Sequence, residues 1–475
     1  MNGPPLGRTG AHYAPSYARL ENFGRCPKMD RPPFKIPPTR IPHGNGADGR
    51  LKMRVAFLVG GFPTLSETFI LNQITGLLDR GHDVVIYATK SREDDLVHRD
   101  VTRYELLRRT VYLPRPPSNV VGRWLEAVGR LILQLPSNPI AVARAFRASV
   151  KDGRRLETFF AALPLLTERP CDAILAHFGT NGARALRLRR AGALSGRIAT
   201  VFHGFDITKK LARAGEDIYT DLFREGELFL SISERWRSRL VELGCPPDRT
   251  VVHRMGIDCR RFAFSPRKKD PTGRVELVSV ARLMEKKGVE YGLRAVAEVS
   301  RRNSSIVYTV VGDGPLRPNL ERLASQLGIS DRVRFLGNRP QDEVAEVLRS
   351  ASIFLAPSVT SADGDQEGIP VVLMEAMSSG LPVVATEHSG IPELVEDGIS
   401  GFLAPERDVQ ALAVCLGKLI EHPELWPSMG EAGRQRVEAD YDVEVLNDRL
   451  VDLLERLCTG STMAPRAGTG LELAC

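Results

Sequence analysis

Residues 352–390 read SIFLAPSVTSADGDQEGIPVVLMEAMSSGLPVVATEHSG. SIFLAP (352–357) and PVVAT (382–386) are short, nearly continuous apolar runs, as expected of strands buried on both faces. Between them, Pro370 suits the first turn of a helix, where a missing N–H costs nothing. The run therefore predicts strand, loop, helix and strand, the repeating unit of a parallel sheet covered on both sides.

Working outward, the same alternation recurs. VELVSVA (275–281), IVYTVVG (306–312), RVRFLG (332–337) and GFLAP (401–405) complete one series of strands. RVAFLV (54–59), DVVIYA (83–88), DAILAH (172–177), IATVFH (198–203) and LFLSIS (228–233) form an earlier one. The expected fold class is α/β, with two Rossmann-like doubly wound domains facing across a cleft. The boundaries read as follows: a disordered basic Pro/Gly-rich leader 1–52, an N-terminal domain 53–255, a polar linker 256–274, a C-terminal domain 275–440, a closing helix 441–458 and a disordered tail 459–475. The helices after 407 are expected to close the second domain. In open parallel sheets ligands bind beyond the carboxyl ends of the strands, so the cleft is the expected site.

The 475 residues are 43% hydrophobic and 26% charged, ordinary for a folded protein and unlike collagen, coiled coil or a disordered chain. No run approaches the ~18 uninterrupted apolar residues of a membrane span. The formal net charge of +7 suggests a polyanion partner, but residues 1–52 hold 9 Lys/Arg against 3 Asp/Glu. Met53 opens the first expected strand, and the sequence leaves both Met1 and Met53 open as the start. A second basic stretch, 99–155, has 12 Lys/Arg against 4 Asp/Glu, mixed with Trp124 and Phe146. It reads as a solvated helix pair or as a surface that docks on anionic lipid; no nucleic-acid motif accompanies it. The seven cysteines are scattered without C-x-x-C spacing, which favours a reducing cytoplasm.

The chemistry-bearing residues fall at strand-to-helix junctions. Gly60 and Gly61 follow the first strand and precede Ser66-Glu67-Thr68; such glycines admit close approach of backbone N–H groups to a phosphate, or simply make a tight turn. Gly312-Asp313-Gly314 carries the same two readings. Arg282 and Lys287 stand beyond strand 275–281 and can converge on a diphosphate, or can be a solvated loop. Glu367, Gly368, Ile369, Pro370, Val371, Val372 and Glu375 combine a helix N-terminus with carboxylates that accept from sugar or ribose hydroxyls. His203 and Asp206 end strand 198–203. Asp363 and Asp365 mimic a metal-binding D-x-D but read as a loop lining the site, so no metal and no cofactor are expected.

VAFLVGGFPTLSETFILNQI (55–74), HFGTNG (177–182), TVFHGFDIT (200–208), VARLMEKKG (280–288), VVGDGP (310–315) and EGIPVVLMEAM (367–377) with GLPVVATEHSGIPELVEDGISGFL (380–403) resemble the family 4 retaining glycosyltransferases. The N-terminal SETF block is similar to exopolysaccharide enzymes of the colanic acid type. The resemblance implies the GT-B fold and a nucleotide-sugar donor, UDP- or GDP-linked, held between the domains. It implies that Arg282 and Lys287 neutralise the donor diphosphate, Glu367 holds the transferred sugar and Glu375 the ribose. It also implies that amides of 369–372 meet the phosphates, Gly60 and Gly61 close over them, His203 lines the acceptor–donor junction, and Gly312 with Asn338-Arg339 lies near the base.

The expected activity is hexose transfer to a polyprenyl-diphosphate-linked or other saccharide acceptor, in the cytoplasm with peripheral attachment to the inner face of the cell membrane. A nucleotide-sugar 2-epimerase and a non-catalytic nucleotide-sugar binder are the competing readings.

Overall fold

The computed structural model describes residues 51–64, 67–91, 98–134, 139–151, 156–303 and 305–461. Ser66 and nearly all of the leader and tail read from the sequence lie outside them.

The first sheet is built from β1 (Arg54–Val59), β2 (Asp83–Ala88), β3 (Thr110–Tyr112), β4 (Ala173–His177), β5 (Arg197–Phe202), β6 (Leu228–Ser231) and β7 (Thr250–Val252). Its spatial order is β3-β2-β1-β4-β5-β6-β7, with every pair parallel. The second comprises β8 (Val275–Val280), β9 (Ile306–Val311), β10 (Val333–Gly337), β11 (Ile353–Ala356), β12 (Val383–Thr386) and β13 (Gly401–Ala404). It runs β10-β9-β8-β11-β12-β13, again all parallel. In both sheets the chain starts in the middle and reverses direction of growth beside its first strand, between β1 and β4 and between β8 and β11. Such switch points open a crevice beyond the strand ends.

Alternation along each strand feeds two cores per sheet. In β1, Val55, Phe57 and Val59 enter one apolar cluster and Ala56 and Leu58 the other. In β8, Val275 and Leu277 face one cluster and Val278 its opposite. Burial on both faces is the reason these strands read as continuous apolar runs.

The structure departs from the sequence reading at three places. The basic stretch 99–155 is more than a pair of helices: after helix Arg99–Arg103 it adds β3 to the sheet edge before helices Val120–Gln134 and Pro139–Lys151. Segment 256–274 is anchored to the body, with Ile257, Cys259 and Phe262 buried and Ile257 bridged to Asp442.

The last helix, Val443–Thr459, does not close the second domain. Its Leu450, Val451, Leu454 and Leu457 join the core of the first sheet. It crosses helix Thr68–Asp79 at Gly76, where an added Cβ would lie 2.0 Å from the Asn447 amide nitrogen. Asn447 donates to Asn72 O at 3.2 Å, and Arg80 pairs with Asp448 at 2.9 Å. An amphipathic pattern marks an apolar face, and the shared core and the contact at Gly76 show what that face meets here.

Candidate active site

Lys287 sits at the end of a short turn, Glu285–Lys287, that follows β8. Its Nζ lies 2.6 Å from Glu367 Oε2, although the two residues are far apart in sequence. Lys286 adds contacts of 3.3 Å to Asp365 and 3.9 Å to Glu367. Glu367 is 8% exposed. Burial pushes its carboxyl up, but the Lys287 and Lys286 charges and the Lys287 hydrogen bond outweigh that and hold it below the ordinary range. The result is an ionised carboxylate between two ammonium groups at the mouth of a strand.

The backbone of Glu367 is fixed as firmly as its side chain. Its N–H donates to His388 Nε2 at 3.1 Å, and its carbonyl accepts from Ser389 Oγ at 2.6 Å. Since Nε2 accepts, the His388 proton resides on Nδ1 and points to Glu406 Oε1, 2.5 Å away. Glu406 is itself held by the Thr360 N–H at 2.7 Å. Gly368 then passes so close to the first domain that an added Cβ would stand 2.5 Å from Ile232 Cδ1. Neither His388 nor Glu406 was singled out from the sequence; the signal was the EHSG run directly after β12, one more strand-to-helix junction.

Pro370 is the N-cap of helix Val371–Ser378, and no side chain caps that end. The Leu373 N–H turns back to Pro370 O at 3.0 Å, which leaves the donor capacity of this end with the amides of Val371 and Val372. Lys287, Pro370 and Val372 line one small cavity of about 20 Å³ beside β8 and β11. Arg282 is exposed two residues beyond β8.

Glu375, one turn along the same helix, has different company. It is 8% exposed and opens on a cavity of about 500 Å³ that Thr68, Asn72, Gln341 and Val371 also line. Gln341 Nε2 approaches at only 3.4 Å. Burial pushes the carboxyl up to about 7, against smaller opposing effects of Gln341 and the Arg261 charge. Glu375 is a buried acceptor with one long hydrogen bond, and Gln341 was missed by the sequence reading.

Gly312 approaches Ala281 so tightly that an added Cβ would lie 2.0 Å from Ala281 O, at φ +121°. Its N–H donates to Gly337 O at 2.8 Å, which brings the Asn338-Arg339 turn beside β9. On the other wall, Gly60 is exposed and Gly61 half-buried after β1, with Gly61 O accepting from Thr64 Oγ1 at 3.2 Å.

His203 directly follows β5 and stacks on His177, with ring centroids 5.3 Å apart and Nδ1 of His177 3.1 Å from Nε2 of His203. Phe69 and Phe178 flank it at 4.7 and 4.6 Å. Burial pulls the His203 imidazole down to about 3, so it is neutral at physiological pH. Asp206 accepts from the Gly179 and His203 N–H groups at 2.8 and 2.9 Å. It pins the ends of β4 and β5 together. Further along this wall, Thr208, Leu211, Trp236 and Arg239 line a cavity of about 650 Å³ with Gly364 and Gln366 of the second domain.

The D-x-D mimic is engaged with lysines. Asp363 pairs with Lys209 of the first domain, and Asp365 with Lys286.

Two family models match this arrangement: "Glycosyltransferase Family 4" over residues 66–261 and "Glycosyl transferases group 1" over 261–436. The chain is 40% identical over 408 residues to the colanic acid biosynthesis glycosyltransferase WcaL of Escherichia coli, covering 85% of this chain and all of that one. It is 38% identical over 414 residues to the amylovoran biosynthesis glycosyltransferase AmsK of Erwinia amylovora, with the same coverage. HepE of Anabaena, solved with UDP-glucose, superposes with a TM-score of 0.61 at 18% identity, covering 85% of this chain and 99% of that one. The chain therefore belongs to the family 4 glycosyltransferases, with the two facing Rossmann-like domains of the GT-B fold.

Proposed function

We propose that the chain transfers a hexose, with retention and without a metal, from a UDP- or GDP-sugar to a lipid-linked saccharide in exopolysaccharide biosynthesis, at an anionic membrane surface. The observation that carries this reading is the convergence of Lys286, Lys287 and Glu367 beside the uncapped start of helix Val371–Ser378. The names of WcaL and AmsK support the exopolysaccharide setting.

In this reading the bond between the anomeric carbon and the β-phosphate oxygen breaks, and its electron pair stays on the diphosphate. Lys287, Arg282 and the amides of Ile369, Val371 and Val372 stabilise that growing charge. The acceptor hydroxyl attacks from the same face, and its proton passes to the departing phosphate oxygen. Glu367 orients the sugar hydroxyls, and Glu375 accepts from the ribose. Neutral His203 can donate to or accept from a hydroxyl but cannot serve as a cation. Gly60 and Gly61 cover the phosphates, Gly312 and the 338–339 turn border the base, and the 650 Å³ cavity receives the acceptor.

Epimerase and non-catalytic binder are not favoured, because relatives matched over their whole length are named as glycosyltransferases. A panel of UDP- and GDP-sugars, assayed for nucleoside diphosphate release with membrane extract, tests the reading. One donor should give release that requires the extract; release from none of them would overturn it.

A further inference from the structure

Helix Val120–Gln134 is oriented the wrong way round for a surface helix. Val121, Leu125, Val128 and Ile132, which share one face at helical spacing, are 71%, 69%, 45% and 63% exposed. Trp124 borders them at 45% exposure. The charged residues lie off this face, with Arg123 turned into the body and Arg130 and Glu126 each 38% exposed beside it. Arg123 is buried and donates to Pro117 O and Ser118 O at 3.0 and 2.8 Å. Arg130 pairs with Glu126 at 2.8 Å and lies over the Phe160 ring. Single exposed apolar residues need no explanation, but a contiguous stripe marks an interaction surface.

The geometry points to this stripe as the element that inserts into the interface of an anionic lipid bilayer. The inference deepens the membrane-surface part of the function proposed above and rests on it. Two observations select lipid over a second copy of the chain. Leaving out the buried Arg123, the surrounding stretch 99–155 has 11 Lys/Arg against 4 Asp/Glu, complementary to anionic headgroups. The stripe is also small: a 15-residue helix is roughly 22 Å long and 10 Å wide, a face of a few hundred Å². A stable protein interface needs about 800 Å² per partner. Insertion of apolar side chains, rather than charge alone, would hold the protein when salt screens the arginines.

Trp124 supplies the reporter, because the other two tryptophans, Trp236 and Trp426, are buried. The full chain should co-sediment with vesicles of phosphatidylglycerol mixed with phosphatidylcholine, less with phosphatidylcholine alone, and its emission should shift to the blue. A measurable fraction should stay bound in high salt. Leu125→Asn and Ile132→Asn should each weaken partitioning roughly tenfold, and the double variant roughly a hundredfold. Thermal stabilisation by UDP or GDP should be unchanged in these variants, which reports an intact cleft independently of the membrane. Loss of that stabilisation in the wild type would count against the nucleotide site and leave the stripe's role standing. Partitioning of the variants equal to wild type would overturn the inference, as would wild-type binding that salt abolishes entirely. So would absence of vesicle binding in the wild type, whether or not the stripe then proves to hold two copies together in sedimentation.

Discussion

Replacing Glu375 by Gln should make the unliganded protein more stable and the enzyme worse. The carboxyl is 8% exposed, with one hydrogen bond of 3.4 Å, and burial pushes its pKa from 4.5 to about 7. Displacement by that amount corresponds to about 3 kcal/mol of penalty on the ionised form. Because the folded-state pKa is the higher one, the penalty is absent below about pH 4.5, grows as pH rises, and is complete above about pH 7. Glu375→Gln removes the charge at nearly constant shape and keeps the contact with Gln341. The gap in stability between variant and wild type should therefore be under about 1 kcal/mol near pH 5 and approach about 3 kcal/mol near pH 8. Thermal unfolding of both proteins across that range measures the gap directly. Addition of the productive nucleotide should invert the order, since only the carboxylate would accept from both ribose hydroxyls. A gap that stays constant with pH, or a variant less stable at pH 8, would refute the assigned burial penalty. A variant stabilised by nucleotide as strongly as wild type would refute the ribose role.

Lys287→Ala should lower nucleoside diphosphate release by roughly 10²–10³-fold, the size of one lost donor to a developing anion; circular dichroism should show the fold retained, and turnover near wild type would exclude the role. His388→Ala should disorder the Glu367 backbone, raising KM for the donor more than it lowers thermal stability, and His388→Asn or Gln should restore part of the loss through an acceptor in place of Nε2. A rise in KM matched by global unfolding would instead make His388 merely structural. Lys209→Ala breaks the ion pair with Asp363 that joins the two domains. Lys209 is half-buried but Asp363 is exposed to solvent, so stability should fall only slightly. X-ray scattering of the apo protein would detect any wider separation of the domains, and an unchanged profile would remove this pair from the closure.

Much of the fold was legible because strands buried on both faces leave an unambiguous trace. Val383–Thr386 is buried at every position and reads as VVAT, with no charged residue in it. β3 and β7 left no such trace: each has three residues, only the first fully buried, and lies at a sheet edge. The site was legible to the extent that its groups sit beside glycine or proline at junctions. Its distances were not, since Lys287 reaches Glu367 and Gln341 reaches Glu375 only through the crossing of the sheet. The charge on Glu367 depends on its lysines and the weakening on Glu375 on burial that Gln341 only partly offsets, so two glutamates eight residues apart in one motif acquire opposite electrostatics. Helix Val120–Gln134 marks the same boundary from the other side. The sequence offered 99–155 as a solvated helix pair or a lipid-docking surface, and an apolar stripe on a helix ordinarily packs inward. The exposure of Val121, Leu125 and Ile132 and the inward turn of Arg123 make it a surface, and amphipathicity by itself never says which side is the protein.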